Sequence, residues 1–272
     1  MAGKNSFGLS RYIPAAIRKQ VRRRCKFGCV VCGSAIVTYE HIDPVFSDAK
    51  VHDPTRITLL CGHHQLESSK GLLSKQSIQE SDAKSKGSQR GYVDSIFDLG
   101  GKVPSLVMGG NELDLKPNQI LSINGLPVFK IEHPERKSRK WRLSGIFYGE
   151  KNQCLCYIES NELRLLADNY DIVQESNRFF ISNEKGNRIF ELEINPPDKL
   201  ILKIMKLVVD GNEISIDGNT ITFTNAAKTT GVTFENCGFS GVGSFRIDEK
   251  GLHISGRSEC QWPSQLASTH SS

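Results

Sequence analysis

Cys29-Val30-Val31-Cys32 is a Cys-x2-Cys pair, and Cys61-Gly62-His63-His64 supplies a Cys-x2-His pair 29 residues later. Thiolate sulfur and imidazole nitrogen suit a tetrahedral, soft or borderline ion, and two such pairs around a short stretch of chain have the spacing of a structural Zn2+ site. His64 has the usual offset within its pair. His63 is the alternative, in which case His64 drops into a neighbouring metal position. Buried free thiols are the competing reading, and Cys25 fits it. Between the pairs lies Tyr39-Glu40-His41-Ile42-Asp43-Pro44. Successive side chains of an extended strand point to opposite sides, so Glu40 and His41 cannot both grasp one ion from the same face. They suit a division of labour: the carboxylate binds a divalent cation while a neutral imidazole takes a proton from water, as phosphodiester hydrolysis requires. His52 could serve as a further ligand, but a lone loop histidine is more often solvated.

The elements that must position these residues are legible in outline. Tyr12 to Lys26 reads as a helix, with Pro14 in its first turn and Ile13, Ile17 and Val21 as one apolar stripe, ended by Phe27-Gly28. Two short segments follow, around Val30–Cys32 and Ile36–Ile42, then a loop with Pro44, Asp53 and Pro54. A second helix is expected from the apolar run Ile57–Leu60 through His64 to Gly71. Residues 81–91 carry no large apolar side chain and read as a flexible linker.

Beyond Tyr92 the pattern changes to short alternating runs broken by Asn, Asp and Gly. The runs are Gln119–Asn124, Leu126–Glu132, Trp141–Tyr148, Gln153–Glu159, Arg178–Ser182, Arg188–Ile194, Lys199–Lys206, Glu213–Asp217 and Thr220–Thr224, an all-β pattern compatible with a sandwich or a β-solenoid. Cys154 and Cys156 share one strand face and read as buried side chains. The run from His133 to Lys140 reads as a basic loop tip. The Ser/Gln/Thr-rich tail, 258–272, reads as disordered.

Charge divides the chain in the same place. Residues 1–90 hold 15 Lys/Arg against 7 Asp/Glu, and the remainder 20 against 23, within an overall net charge of +5. A basic first third suits a phosphate backbone, although a charge run taken alone is more often a solvated helix face. No run reaches the length of a membrane helix and the first residues lack the apolar core of an export signal, so the expectation is a cytoplasmic protein without membrane insertion.

Taken together, these residues resemble the HNH endonucleases of the ββα-metal class, in their zinc-stapled subclass. The resemblance is carried by Ile13-Pro14, the Arg-rich helix, Cys29-x2-Cys32-Gly33, Glu40–Pro44, Ile57–Cys61 with His64, and Lys70-Gly71, within residues 11–75. It implies a zinc-stapled hairpin and helix on Cys29, Cys32, Cys61 and His64, with His41 as general base. Glu40 would hold one catalytic Mg2+ or similar divalent cation. The family histidine that would share this cation corresponds to Gln65, a neutral oxygen donor that cannot relay a proton. The family asparagine corresponds to Arg56, which cannot accept the hydrogen bond that orients the base but could grip the phosphate. That leaves Asp53 or Asp43 to orient His41. Arg22, Arg23, Arg56 and Lys70 are the expected phosphate contacts on duplex DNA.

The resulting expectation is an α+β chain: an HNH-type module over 10–80, a linker at 81–91, an all-β domain over 92–257 for regulation, targeting or oligomerisation, and the tail. The function expected is metal-dependent DNA cleavage, with host defence as an analogy of context, and a homo-oligomer as the simplest route to cutting both strands. The alternative is a decayed nuclease that persists as a zinc-stabilised DNA-binding or adaptor protein.

Overall fold

A computed structural model of the chain describes residues 3–100, 102–114, 120–135, 140–149, 151, 153–227, 231–240 and 244–255. The chain divides into two compact units, Met1–Ser95 with Leu165–Gln174, and Ile96–Arg164 with Glu175–Ser272. The first is the smaller and carries the helices; the second is built of strands.

In the first unit, α1 (Ala15–Arg24) lays Val21 and the flanking Ile13 and Cys25 into a core shared with Val30, Ile42, Ile57, Leu59, Leu60 and Ile78. The four-residue repeat of Ile13, Ile17 and Val21 is what places them on one side. The helix stops because Lys26 and Phe27 both take positive φ, at 55° and 69°, which turns the chain out of the helical path. Strands β1 (Thr38–His41) and β2 (Ile57–Leu60) form an antiparallel pair, with Glu40 opposite Thr58 and His41 opposite Ile57. The expected helix start at Ile57–Leu60 is corrected here: the run is a strand buried along its whole length. Four consecutive apolar or β-branched residues do not distinguish a helix from a strand buried on both faces, and pairing with β1 decides it. The helix, α2 (Gly62–Ser69), begins only after Cys61, which is extended at ψ 165°.

The expected linker at 81–91 is also corrected. It contains the end of α3 (Lys75–Ala83) and all of α4 (Lys86–Arg90), whose first turns are capped by the hydroxyls of Ser74 and Ser85. Besides the single buried Ile78 of α3, these helices are held by polar contacts that a search for apolar stripes does not register. Lys86 N–H donates to Val30 C=O at 2.9 Å, and a Cβ on Gly87 would stand 2.8 Å from Lys26 C=O. Asp82 accepts from Thr58 Oγ1 at 2.6 Å and from Cys25 Sγ at 3.3 Å, and pairs with Arg24, tying α3 to β2 and α1. Strand β3 (Tyr92–Ile96) follows, and Asp94 bridges Ser34.

The second unit begins with β4 (Ser105–Met108), β5 (Asn111–Asp114), β6 (Ile120–Ile123), β7 (Leu126–Glu132), β8 (Arg142–Tyr148) and β9 (Cys154–Glu159). The chain passes between the units within β10 (Glu162–Leu166) and β11 (Asp171–Glu175). It continues with β12 (Arg178–Ser182), β13 (Arg188–Asn195), β14 (Lys199–Val209), β15 (Asn212–Asp217), β16 (Thr220–Thr224), β17 (Gly231–Glu235), β18 (Gly238–Ser240), β19 (Ser244–Asp248) and β20 (Gly251–Ser255). From β12 to β17 successive strands are antiparallel neighbours, as are β6 to β9. Parallel pairing occurs where the chain returns, β4 with β14, β5 with β18 and β6 with β19. Hairpin meanders of this kind are not the stacked parallel coils of a solenoid. The sheet that holds β6 to β9 and the one that holds β11 to β17 meet in a core through Phe147 of β8 and Phe190 of β13, ring centroids 5.0 Å apart. The Gly-Asn turns do more than reverse the chain: buried Asn111 donates to Met108 C=O and Phe234 C=O and accepts from Cys237 N–H. Residues 136–139 of the basic run, Cys260 and the tail from 258 lie outside the described residues. No helix among the described residues is long and apolar enough to cross a membrane.

Candidate functional site

The first cysteine pair sits on a tight turn. Gly33 N–H donates to Cys29 C=O at 2.8 Å with Gly33 at φ 86°, and Cys29 N–H donates to Ser34 C=O at 2.8 Å. A side chain at Gly33 would be strained by that backbone alone. Gly28 has a different reason for being bare, since a Cβ there would meet Val93 Cγ1 at 2.5 Å. Cys61 is the N-cap of α2 and His64 lies in its first turn, so the helix start places both against the turn.

Cys29, Cys32, Cys61 and His64 are thereby gathered into one cluster whose ligand atoms all lie within 4.8 Å of one another. Cys32 Sγ and Cys61 Sγ are 3.8 Å apart, and His64 Nδ1 is 3.1 Å from Cys61 Sγ and 3.4 Å from Cys29 Sγ. A tetrahedral ion with metal–sulfur bonds near 2.3 Å and metal–nitrogen bonds near 2.0–2.1 Å needs edges of about 3.8 Å and about 3.5 Å. The cluster could hold a metal ion with little rearrangement. The hydrogen bond from Cys32 pulls Cys29 down to about 4, with backbone N–H groups helping, and Cys32 is pushed up by the proton it shares with Cys29. Thiolate is the form in which cysteine ligates a metal, so metal binding at this cluster would be linked to loss of thiol protons.

His64 turns Nδ1 to the sulfurs and Nε2 toward Glu67, 3.9 Å away. A carboxylate behind the far ring nitrogen is the usual way a ligating imidazole is oriented. His63 points elsewhere: it is 72% exposed, with Nε2 3.3 Å from Glu67. Its reach to the cysteine cluster, left open by spacing, is not realised.

Glu40 and His41 diverge as the strand demands. On one face Gln65 bridges Thr38 and Glu40: Thr38 Oγ1 donates to Gln65 Oε1 at 3.2 Å, and Gln65 Nε2 donates to Glu40 Oε2 at 3.1 Å. In this arrangement Gln65 holds Glu40 by an N–H, and its oxygen faces Thr38. Turning the amide over would place the oxygen beside the carboxylate, a contact favourable only with a cation between them. On the other face His41, 8% exposed, meets His52 and Phe46. Burial lowers its pKa below the ordinary histidine value and the neighbouring His52 adds to that, which keeps the ring neutral and able to accept a proton. Glu40, His41 and Gln65 line one cavity of about 390 Å³, and Lys75 stands at its wall. His41 also lines a second cavity, of about 340 Å³, with Asp53 and Arg56.

The expected phosphate contacts separate. Arg22 is corrected: its Nε and Nη2 bind the two Asp171 carboxylate oxygens at 3.0 and 2.7 Å, and Nη1 binds Tyr39 Oη at 2.9 Å. Both partners of the ion pair are nearly buried, at 12% and 8% exposure, so no donor face is left for a phosphate. Asp171 lies 149 residues away in sequence, beyond any reading of local charge. Arg23 is exposed and shares the Tyr170 ring with Lys19, both cations about 4.5 Å from its centroid. Lys70 is exposed at the end of α2. Arg56 donates to Asp43 C=O at 2.8 Å and lies between the Asp43 and Asp53 carboxylates at 3.9 and 3.7 Å.

Neither aspartate orients His41. Asp53 Oδ1 accepts from Thr55 N–H and Thr55 Oγ1 and so closes its own turn, and Asp43 faces Arg56. The residue that reaches His41 is His52, read from sequence as a solvated loop histidine or a further ligand and here a partner of the His41 ring. Comparison of the chain with protein-family models, with curated proteins and with solved structures finds no match.

Proposed function

We propose that the first unit is an HNH-type, metal-dependent endonuclease module of the ββα-metal class, acting on DNA phosphodiester bonds. One observation carries the reading: β1 and α2 bring Glu40, the buried His41 and Gln65 to a single cavity, and α2 also carries His64 of the Cys3His cluster. Zn2+ is the natural occupant of that cluster, since three thiolates and an imidazole at tetrahedral spacing suit it best. Its role is to staple the turn at Cys29 to the start of α2, which fixes Gln65 against β1.

In the reaction, a DNA strand lies along the cavity with its scissile phosphate between Glu40 and His41. His41 takes a proton from a water whose oxygen attacks phosphorus, and the bond from phosphorus to the 3′ oxygen breaks. Glu40 is the carboxylate for Mg2+ or a similar divalent cation, which when bound supplies charge neutralisation at the attacked phosphate and the leaving oxygen. Gln65 keeps Glu40 turned toward the cavity. Arg56, at the other face of His41, and exposed Arg23 and Lys70 are the cations for flanking phosphates of duplex DNA. The β-rich unit serves regulation, targeting or self-association.

A second reading has a specific observation in its favour. Gln65 offers Glu40 an amide nitrogen, and Arg56 is flanked by two carboxylates, as expected of a nuclease site that has decayed into a zinc-stabilised DNA-binding module. A nicking assay on supercoiled plasmid with Mg2+, Mn2+ or Ni2+ separates the two readings, run beside His41→Ala and Gln65→His with zinc content measured throughout. Cleavage lost in His41→Ala with zinc retained supports the nuclease. An inactive wild type that becomes active as Gln65→His supports decay.

A further inference from the structure

We infer that His52 is the residue that sets the tautomer and orientation of His41, accepting a hydrogen bond at its own Nδ1; this rests on His41 acting as a general base. His41 Nε2 lies 3.2 Å from His52 Nδ1, the ring planes inclined by 48°. One of these two nitrogens carries the hydrogen. If it is His41 Nε2, then His41 Nδ1 keeps its lone pair and can take a proton from water. If it is His52 Nδ1, a neutral His41 carries its hydrogen on Nδ1 and has no free basic nitrogen to offer. Base chemistry at His41 therefore requires His52 to accept at Nδ1 and to hold its own hydrogen on Nε2.

His52 Nε2 is a buried atom with no hydrogen-bond partner among the described residues. Such atoms are few in native folds, and each calls for an explanation. With His52 accepting at Nδ1, this atom is an N–H left without an acceptor, a desolvation cost that goes with keeping a lone pair turned to His41. The loop that carries His52 is fastened from a distance: Asn5 Nδ2 donates to Phe46 C=O at 2.6 Å and to Ala49 C=O at 2.7 Å, while Asn5 Oδ1 accepts from Phe7 and Leu9 N–H. Phe46 packs edge-on against His41 at 5.5 Å, so the ring is confined by Phe46 and His52 together. When His41 receives the proton at Nδ1 it becomes an imidazolium whose Nε2–H continues to donate to His52. No proton passes to His52, which acts as a positioning residue.

The test uses the full chain with 15N-labelled histidine. Long-range 1H–15N NMR of the ring nitrogens reads tautomers without any need for activity, and the expected result is the Nε2–H form for both His41 and His52. A His41 in the Nδ1–H form overturns the inference. In the plasmid nicking assay, His52→Leu is expected to lower cleavage about 10–100-fold, the usual cost of losing an outer-shell partner. His52→Asn, whose Oδ1 falls where Nδ1 was, recovers most of that loss. Equal losses in the two variants, or none in His52→Leu, overturn it. A wild type that cuts with no divalent cation tested defeats the endonuclease reading, and the tautomers then decide separately whether His52 sets the ring of His41.

Discussion

Arg22 and Arg23 are adjacent in sequence, and the structure gives them opposite fates that can be measured. Arg22 carries two charge-assisted bonds to Asp171 and one to Tyr39, with both ends of the ion pair largely out of solvent. Burial works against its charge, but the Asp171 and Tyr39 interactions outweigh that and keep it ionised. Asp171→Ala therefore leaves a guanidinium buried without its counter-charge, and removing one partner of such a pair costs about 3–5 kcal/mol. The double variant Arg22→Leu/Asp171→Leu removes the charge as well and should recover part of the loss. Urea unfolding followed by circular dichroism gives the free energies. DNA binding gives the complementary readout. Arg23→Ala should reduce the slope of log K against log salt by about 0.9, one phosphate contact, with little change in stability. A loss in Asp171→Ala below about 1 kcal/mol, the range of exposed pairs, would refute the assignment of a buried structural bridge.

Three further outcomes are expected. Cys32→Ser should bind less than stoichiometric metal and lose the fold of the first unit, read by metal analysis and circular dichroism, because ligand binding and folding are the same event in small thiolate sites. Gly28→Ala drives a methyl into Val93 and should destabilise by about 1–3 kcal/mol, with weaker metal retention because the clash adjoins Cys29. The acid limb of the cleavage rate should lie below about pH 6.5, since burial lowers His41 from that ordinary value. With its folded pKa depressed, His41 imposes no stability loss above about pH 6.5, and stability falls as pH drops from there toward the folded value. An acid limb at or above pH 6.5 would mean that the titrating base is another group.

What the sequence determined by itself is what depends on short spacings and periods. The Cys-x2-Cys and Cys-x2-His pairs specify a Cys3His cluster that could hold a metal ion because each pair is closed by its own turn, and Glu213–Asp217 and Thr220–Thr224 read as strands because their side chains alternate. Glu40 and His41 diverge for the same local reason. Other features depend on partners that spacing does not reveal. Ile57–Leu60 is a strand because β1 is there to pair with it, and 81–91 is helical because serine caps and contacts with Val30 and Lys26 hold it without an apolar stripe. Arg22 became structural when Asp171, 149 residues on, arrived with a carboxylate. His52 was visible as a loop histidine, but its pairing with His41 needed the loop fastened by Asn5, which brings its Nδ1 within 3.2 Å of His41. Tertiary structure decides such cases because a hydrogen bond or ion pair is a property of two groups in space, and a sequence presents only one of them at a time.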